Sequence, residues 1–370
     1  MIQVFKPSID EEEFQAVKEA MQSGWIGLGP KTQEFERNFA EYLGVKYVIG
    51  LNSGTASLHL ALMGYRLGPG DEVIVPALTF ISTIHAIRYV GATPVFADIF
   101  EDTLCIDPAD VERKITERTR AIMPVHFGGH PCDLDELHAI AKARGILVIE
   151  DAAHAAGARY RGQLIGGISA ATCYSFHAVK NLTMGEGGAI STNDARLDKL
   201  LRKLRWVGIN KDTWSRSSDL RTYGWYYEVE DLGFKYHLSD IPASIGIVQL
   251  KKLDRMNARR RELVTQYNEA LKDISWITRP VCRDYVLNAC HNYVIKTNFR
   301  DRLNLYLKER GIATGVHYMP AHLHPYYQSV GAQLPTTERI WTKLLTLPLY
   351  PDLTDSEMDQ IISAIRNFTP

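Results

Sequence analysis

Lys180 stands in the stretch CYSFHAVKNLTMGEGGA, just past an apolar run and just before the glycines Gly185, Gly187 and Gly188. A lysine amine that is partly neutral can attack a carbonyl, and desolvation or a nearby charge can make it so. Glycines behind it let backbone approach a ligand without a side-chain clash. On isolated grounds such a lysine is a solvated charge before a turn. Asp151, in ILVIEDAAHA, is the second of two acids that follow an apolar run. Buried, its carboxylate could hold a proton on a heteroaromatic nitrogen; at an ordinary strand exit it would cap the next helix. His154, three residues on, either faces the same ligand or packs in the core. Ser53, Gly54 and Thr55, in NSGTAS, lie where a strand gives way to a helix. The first amides of that helix have no intrahelical partner and sit at the positive end of its dipole, which suits a phosphate. The alternative is that Ser53 simply caps the helix. The stretch is neither a Walker motif nor a GxGxxG fingerprint.

One cofactor needs all three groups together: pyridoxal phosphate. Its phosphate needs an amide cradle, its aldehyde a lysine amine, and its ring nitrogen an acidic partner. A protonated ring nitrogen makes the ring an electron sink, so that a Cα–H bond can break, and the freed lysine can carry that proton. An aromatic ring stacked on the pyridine face would complete the site. Phe80, in PALTFIST, stands at another strand-to-helix transition and is the candidate, unless it is an ordinary core phenylalanine.

The elements that must position these residues are readable from hydrophobic period. KYVIGLN, DEVIVP, TPVFADI, RAIMPVHF, GILVIED, ATCYSFH and GGAISTN read as strands. SGTASLHLALMGY, TFISTIHAIRYVG and LDELHAIAKARG read as the helices between them, the last ending at Gly145. Such alternation predicts an α/β fold with a mainly parallel central sheet covered by helices. In open α/β sheets, ligands bind beyond the carboxyl ends of the strands, where all three groups fall. After about residue 240 the pattern changes. A long helical stretch from SDIPASIG to NEALKD, with Pro242 near its start, leads to strand NYVIKT, helix RDRLNLYLKERG, strand ATGVHY and closing helix SEMDQIISAIRNF. The expected organisation is a large cofactor-binding domain over 1–240, then a connecting helix and a smaller C-terminal α/β domain over 241–370.

Composition narrows the function classes. Hydrophobic residues make up 45% and the formal net charge is -1, so bulk electrostatics favour neither nucleic acid nor an anionic membrane. No apolar run approaches the roughly 18 residues needed to span a bilayer. The start, MIQVFKPSIDEEEF, lacks the features of a signal peptide. The five scattered cysteines include no CxxC pair and suit a reducing compartment, so a cytoplasmic protein is expected. His317, His322 and His324, in HYMPAHLHPYY, match no zinc spacing in common use, and no metal is expected.

The chain resembles the DegT/StrS family of nucleotide-sugar aminotransferases, of aspartate aminotransferase-like fold (fold-type I of the pyridoxal phosphate enzymes). The stretches GWIGLGPKTQEFERNFAEYLG, LNSGTASLHLAL, VPALTFIST, PVFADI, VHFGGHPCDLDEL, IEDAAHAAGA, SFHAVKNLTMGEGGA, SDIPASIGIVQLKKLD and GVHYMPAHLHPYY match in the family's order across most of the sequence. The resemblance implies that Lys180 is the lysine that condenses with the cofactor aldehyde and that Asp151 partners the ring nitrogen. It further implies that Ser53, Gly54, Thr55 and Ser175 hold the phosphate and that Phe80 stacks on the ring. The implied reaction moves an amino group from L-glutamate, or glutamine, to a nucleotide-linked keto-deoxysugar. The implied assembly is a homodimer whose sites are shared between subunits.

Family members with histidine at the lysine position act as sugar dehydratases; Lys180 favours transamination, and His177 is not the substituted base. An aminocyclitol aminotransferase and a non-catalytic cofactor-binding regulator are the other readings on the same fold. No DNA-binding module is attached, which weighs against the regulator. The family often reads Gly-Tyr-Asn-Tyr-Arg before its connecting helix, with the asparagine reaching the other subunit's cofactor phosphate. Here GFKYHLSD puts Lys235 at that position and His237 at the arginine. Lys235 is expected to bind the phosphate across the interface as a point charge. Trp214, Arg216, Trp225, Tyr226 and Tyr227 form an aromatic, basic stretch that either stacks a nucleotide base or folds over the core or dimer interface.

Overall fold

The computed structural model describes residues 1–210 and 227–370. Two helices, α1 (Glu11–Gln22) and α2 (Pro30–Leu43), precede an alternation of strand and helix. This runs β1 (Tyr47–Leu51), α3 (Gly54–Gly64), β2 (Glu72–Pro76), α4 (Ile81–Tyr89), β3 (Thr93–Ala97), α5 (Pro108–Lys114), β4 (Thr119–Ile122), α6 (Leu134–Arg144) and β5 (Leu147–Asp151). Then come the short β6 (Arg159–Tyr160) and β7 (Gln163–Leu164), followed by β8 (Ala171–Ser175), β9 (Gly188–Thr192) and α7 (Ala195–Leu204). The C-terminal part holds α8 (Asp240–Ala270), β10 (Val286–Leu287), β11 (Tyr293–Lys296), α9 (Arg300–Glu309), α10 (Pro335–Trp341), β12 (Leu344–Leu347) and α11 (Asp355–Arg366).

Seven strands form the central sheet in the order β1-β9-β8-β5-β4-β2-β3. The pairs from β8 through β5, β4 and β2 to β3 are parallel, and β9 runs antiparallel to both of its neighbours. This is the expected α/β architecture. Successive strand residues feed opposite faces, as the two-residue strand period demands. Val48, Ile74, Val148, Tyr174 and Ala189 join one apolar cluster with Phe35 and Phe39 of α2. Their neighbours Ile49, Val75, Ile149, Cys173 and Ile190 join another, with Leu60 of α3 and Ile87 of α4.

A third cluster gathers Leu263 and Tyr267 of α8 with Ile295, Leu303, Leu307, Leu345 and Ile361, and it also takes in Ile2. The start of the chain thus returns to the C-terminal part, where Ile2 N donates to Gly311 O at 2.7 Å. At 31 residues, α8 is about 46 Å long. Its first half packs on the sheet through Ile247 and Leu253, and its second half joins the third cluster.

One expected strand is absent. ATGVHY makes a single bridge, Gly315 to Thr346, on the edge of β12 that faces away from β11, and pairs no further. The segment instead turns inward, and His317 and Tyr318 reach the wall of the main cavity. Among the described residues no helix is long and apolar enough to cross a membrane.

Candidate active site

A cavity of about 430 Å³ opens beyond the carboxyl ends of the parallel strands. The β1–α3 turn contributes Ser53, Gly54 and Thr55, the β2–α4 turn Phe80 and Thr83, the end of β5 Asp151, the end of β8 Ser175, and the loop before β9 Lys180. His154 lines it too. Eight of the residues singled out from sequence therefore meet in one place.

Ser53 has two placements. Its hydroxyl accepts from Ala56 N at 3.1 Å, capping α3, and the residue still lines the cavity. Gly54 is glycine because of close approach: a Cβ there would lie 2.7 Å from Ser175 Cβ. The first turn of α3 and the end of β8 are thus held together, leaving amide donors and the hydroxyls of Ser53, Thr55 and Ser175 around the same space. Thr55 Oγ1 donates to Ser82 Oγ at 2.8 Å.

Asp151 is buried. Its Oδ2 accepts from Thr83 Oγ1 at 2.7 Å and its Oδ1 from Ala153 N at 3.0 Å. Burial pushes its pKa up, although both hydrogen bonds and the Lys180 charge oppose the shift. Such a carboxylate lacks a close cationic partner, and a protonated ring nitrogen would supply one. Lys180 keeps part of its surface open to the cavity. Burial nevertheless holds its ammonium down to about 8, against the pull of Asp151. A lysine so tuned is still mainly protonated near physiological pH but has far more of the neutral form that attacks a carbonyl than an ordinary lysine. The amide cradle, the under-compensated acid and the low-pKa lysine fit pyridoxal phosphate.

Phe80 is no core residue: it is 56% exposed and lies on the cavity wall, 5.9 Å from the Tyr318 ring. His154 both packs and faces the cavity. Its Nδ1 accepts from Gly128 N at 3.3 Å, and its Nε2 lies 3.2 Å from Tyr318 Oη. Burial first, then Lys180 and His317, hold its pKa well below the usual histidine value.

Lys235 is not among the lining residues; its ammonium sits 3.3 Å from the centre of the Trp206 ring. The other histidines do not gather. His317 Nδ1 lies 2.8 Å from Thr346 Oγ1 on the cavity wall, and His322 Nε2 lies 3.2 Å from Glu338 Oε1. Among the described residues no cluster of three metal-ligating side chains exists. Trp214, Arg216, Trp225 and Tyr226 lie outside the described residues; Tyr227 is exposed.

Sequence reasoning missed Thr83, Phe5 and His291. Thr83 had a signal, since it follows Phe80 by three residues and so shares its end of α4. Phe5 and His291 had none. They stack on one another with centroids 5.1 Å apart, a contact between residues 286 positions apart in the chain.

Comparison with known proteins agrees with this geometry. The sequence profile of the DegT/DnrJ/EryC1/StrS aminotransferase family matches residues 7–366. The spore coat polysaccharide biosynthesis protein SpsC of Bacillus subtilis is 44% identical over 98% of this chain and 95% of its own length. The PLP form of Spr1654 from Streptococcus pneumoniae superposes with a TM-score of 0.91 at 33% identity, covering 100% of both chains. The sugar aminotransferase CalS13 of Micromonospora echinospora superposes with a TM-score of 0.92 at 30% identity, again over 100% of both chains. A chain matched in this way over nearly its whole length, with a lysine and an acid poised at the expected strand ends, belongs to the DegT/DnrJ/EryC1/StrS aminotransferase family and is a pyridoxal phosphate-dependent sugar aminotransferase.

Proposed function

We propose that this enzyme takes the amino group of L-glutamate and delivers it to a keto-deoxysugar carried on a nucleotide, in the cytoplasm, as a homodimer with shared sites. The observation that carries this reading is that Lys180 and the buried Asp151 face one cavity, whose wall also presents small hydroxyls, histidines and aromatic rings. When bound, the cofactor supplies the electron sink that lets a Cα–H bond break. Lys180 holds and moves the proton at its Nζ, and Asp151 keeps the ring nitrogen protonated. Thr83 and Ala153 orient the Asp151 carboxylate, one hydrogen bond to each oxygen. Ser53, Gly54, Thr55 and Ser175 would hold the phosphate, and His154 and Phe80 would contact the cofactor from the cavity wall.

Among the described residues, Lys180 is the one lysine or arginine lining the cavity. The carboxylates of glutamate and the diphosphate of a nucleotide sugar need further positive charge, which supports a site completed by a second subunit. Lys235, which has no acid partner among the described residues, is our candidate for that contribution.

The test is the visible absorption of the purified protein. A yellow band that bleaches with L-glutamate and returns on adding one of a panel of UDP-, GDP- or dTDP-linked keto-deoxyhexoses is the expected result. A yellow band indifferent to glutamate refutes the donor. Bleaching without recovery on any keto-sugar refutes the acceptor.

A further inference from the structure

The directions of the hydrogen bonds around His154 determine what Tyr318 can do. The Gly128 N–H points at His154 Nδ1 at 3.3 Å, so that nitrogen carries a lone pair. A neutral imidazole then has its proton on Nε2, and Nε2 lies 3.2 Å from Tyr318 Oη. Tyr318 therefore accepts from His154 and keeps its own hydroxyl proton for another partner. Burial, reinforced by Asp151, raises the phenol pKa, so the group stays protonated. Tyr318 Oη has no other hydrogen-bond partner among the described residues, and the residue lines the cavity beside Phe80.

The neighbouring His291 has the opposite polarity. Asn181 Nδ2 donates to Asn257 Oδ1 at 2.8 Å and to Ala289 O at 2.7 Å. Its oxygen therefore faces His291 Nδ1 at 2.9 Å, which must carry the proton. His291 Nε2 is left as a lone pair in a residue that also lines the cavity. Tyr318 thus offers the cavity a hydroxyl proton and His291 a lone pair, each set by protein hydrogen bonds. Neighbouring hydroxyls of a polyol present both complements, each able to accept from one group and donate to the other.

We propose that the Tyr318 hydroxyl donates a hydrogen bond to an oxygen of the acceptor sugar, with His154 as the positioning residue that aims it. This rests on the sugar acceptor proposed above. It separates the two half-reactions: glutamate does not use the bond and the sugar does. Tyr318→Phe removes only the hydroxyl.

The experiment follows the holoenzyme's colour by stopped flow, bleaching with L-glutamate and then recovering it with the keto-sugar that the wild-type enzyme accepts. In Tyr318→Phe, recovery should slow by about tenfold more than bleaching does, the effect of one lost hydrogen bond to a buried group. His154→Gln, which keeps an N–H near the Nε2 position, should retain faster recovery than His154→Leu. Equal losses in both halves, or no loss in either, overturn the proposal. So does a changed pH titration of the bound cofactor's colour with the two halves equally affected, which would assign the hydroxyl to the cofactor. Equal recovery in the Gln and Leu variants removes the positioning role. If no keto-sugar restores colour even in the wild type, the acceptor reading fails first and takes this assignment with it.

Discussion

Lys180 is poised for chemistry at the expense of stability. Its ammonium titrates at about 8 in the folded chain against 10.5 for an unperturbed lysine. Between these values the unfolded chain binds more protons, so stability rises with pH across that window, and the destabilising contribution is complete below about pH 8. In the cofactor-free protein, Lys180→Met is therefore expected to raise stability at pH 7 by at most about 3 kcal/mol while abolishing transamination. Its advantage over the wild type should shrink as pH climbs towards 10.5. Denaturant unfolding at pH 7 and pH 10 checks both points; a variant no more stable than the wild type at pH 7 would mean that the amine is not desolvated. A related expectation concerns loading. With Lys180 in its proposed role as the amine that takes up the aldehyde, the rate at which the cofactor-free protein captures pyridoxal phosphate should rise with pH and level off above about 8.

At the scale of elements, several helices are finished by residues far away in sequence. Helix α2 begins after Gly29, which has no side chain to cap it. Asp240, the first residue of α8, supplies the cap: it accepts from Gly29 N at 3.0 Å, Lys31 N at 3.0 Å, Thr32 N at 2.9 Å and Thr32 Oγ1 at 2.9 Å. Asp98, just past β3, does the same for α10 through Thr336 N and Thr337 N. One carboxylate can thus close a helix end and join two parts of the chain. Asp240→Ala leaves several buried donors unpaired and should cost about 2 kcal/mol or more, with Asp240→Asn losing less. Urea unfolding of the two variants measures this. Glu36 makes a similar junction between α2, β1 and α7, pairing with Arg205 and with Arg202 at 2.7 Å while accepting from Gly50 N at 2.8 Å. Burial pushes its pKa up, but the two guanidinium groups together pull it below the usual carboxylate value.

At the scale of the molecule, α8 is the link between the sheet and the third apolar cluster. We propose that the domain boundary falls near residue 240, with the first residues of the chain crossing back to the C-terminal part. The proposal of shared sites can be tested by complementation. Lys180→Ala lacks the amine, and Lys235→Ala should bind the cofactor more weakly. Mixing the two after reversible dissociation should restore activity to about a quarter of wild type, because half of the re-formed dimers carry one site with both lysines. No recovery on mixing, with hybrid dimers shown to form, would mean that Lys235 does not serve the other subunit.

The residue types and the strand–helix alternation determined by themselves where Lys180, Asp151, Ser53 and Phe80 would meet. Hydrophobic period defines parallel strands, and the carboxyl ends of parallel strands converge on one edge of a sheet. The same local pattern erred at ATGVHY: the segment pairs with the outer edge of β12 only at Gly315, and then turns inward so that His317 and Tyr318 reach the cavity wall. Other features lay beyond any local signal. The stack of Phe5 on His291, the capping of α2 by Asp240, and the single-sided hydrogen bonding of His154 and Asn181 each join residues distant in the chain. A sequence states which groups are present. Only the tertiary structure decided which way each proton points, because a hydrogen bond's direction depends on the partners that burial leaves within reach.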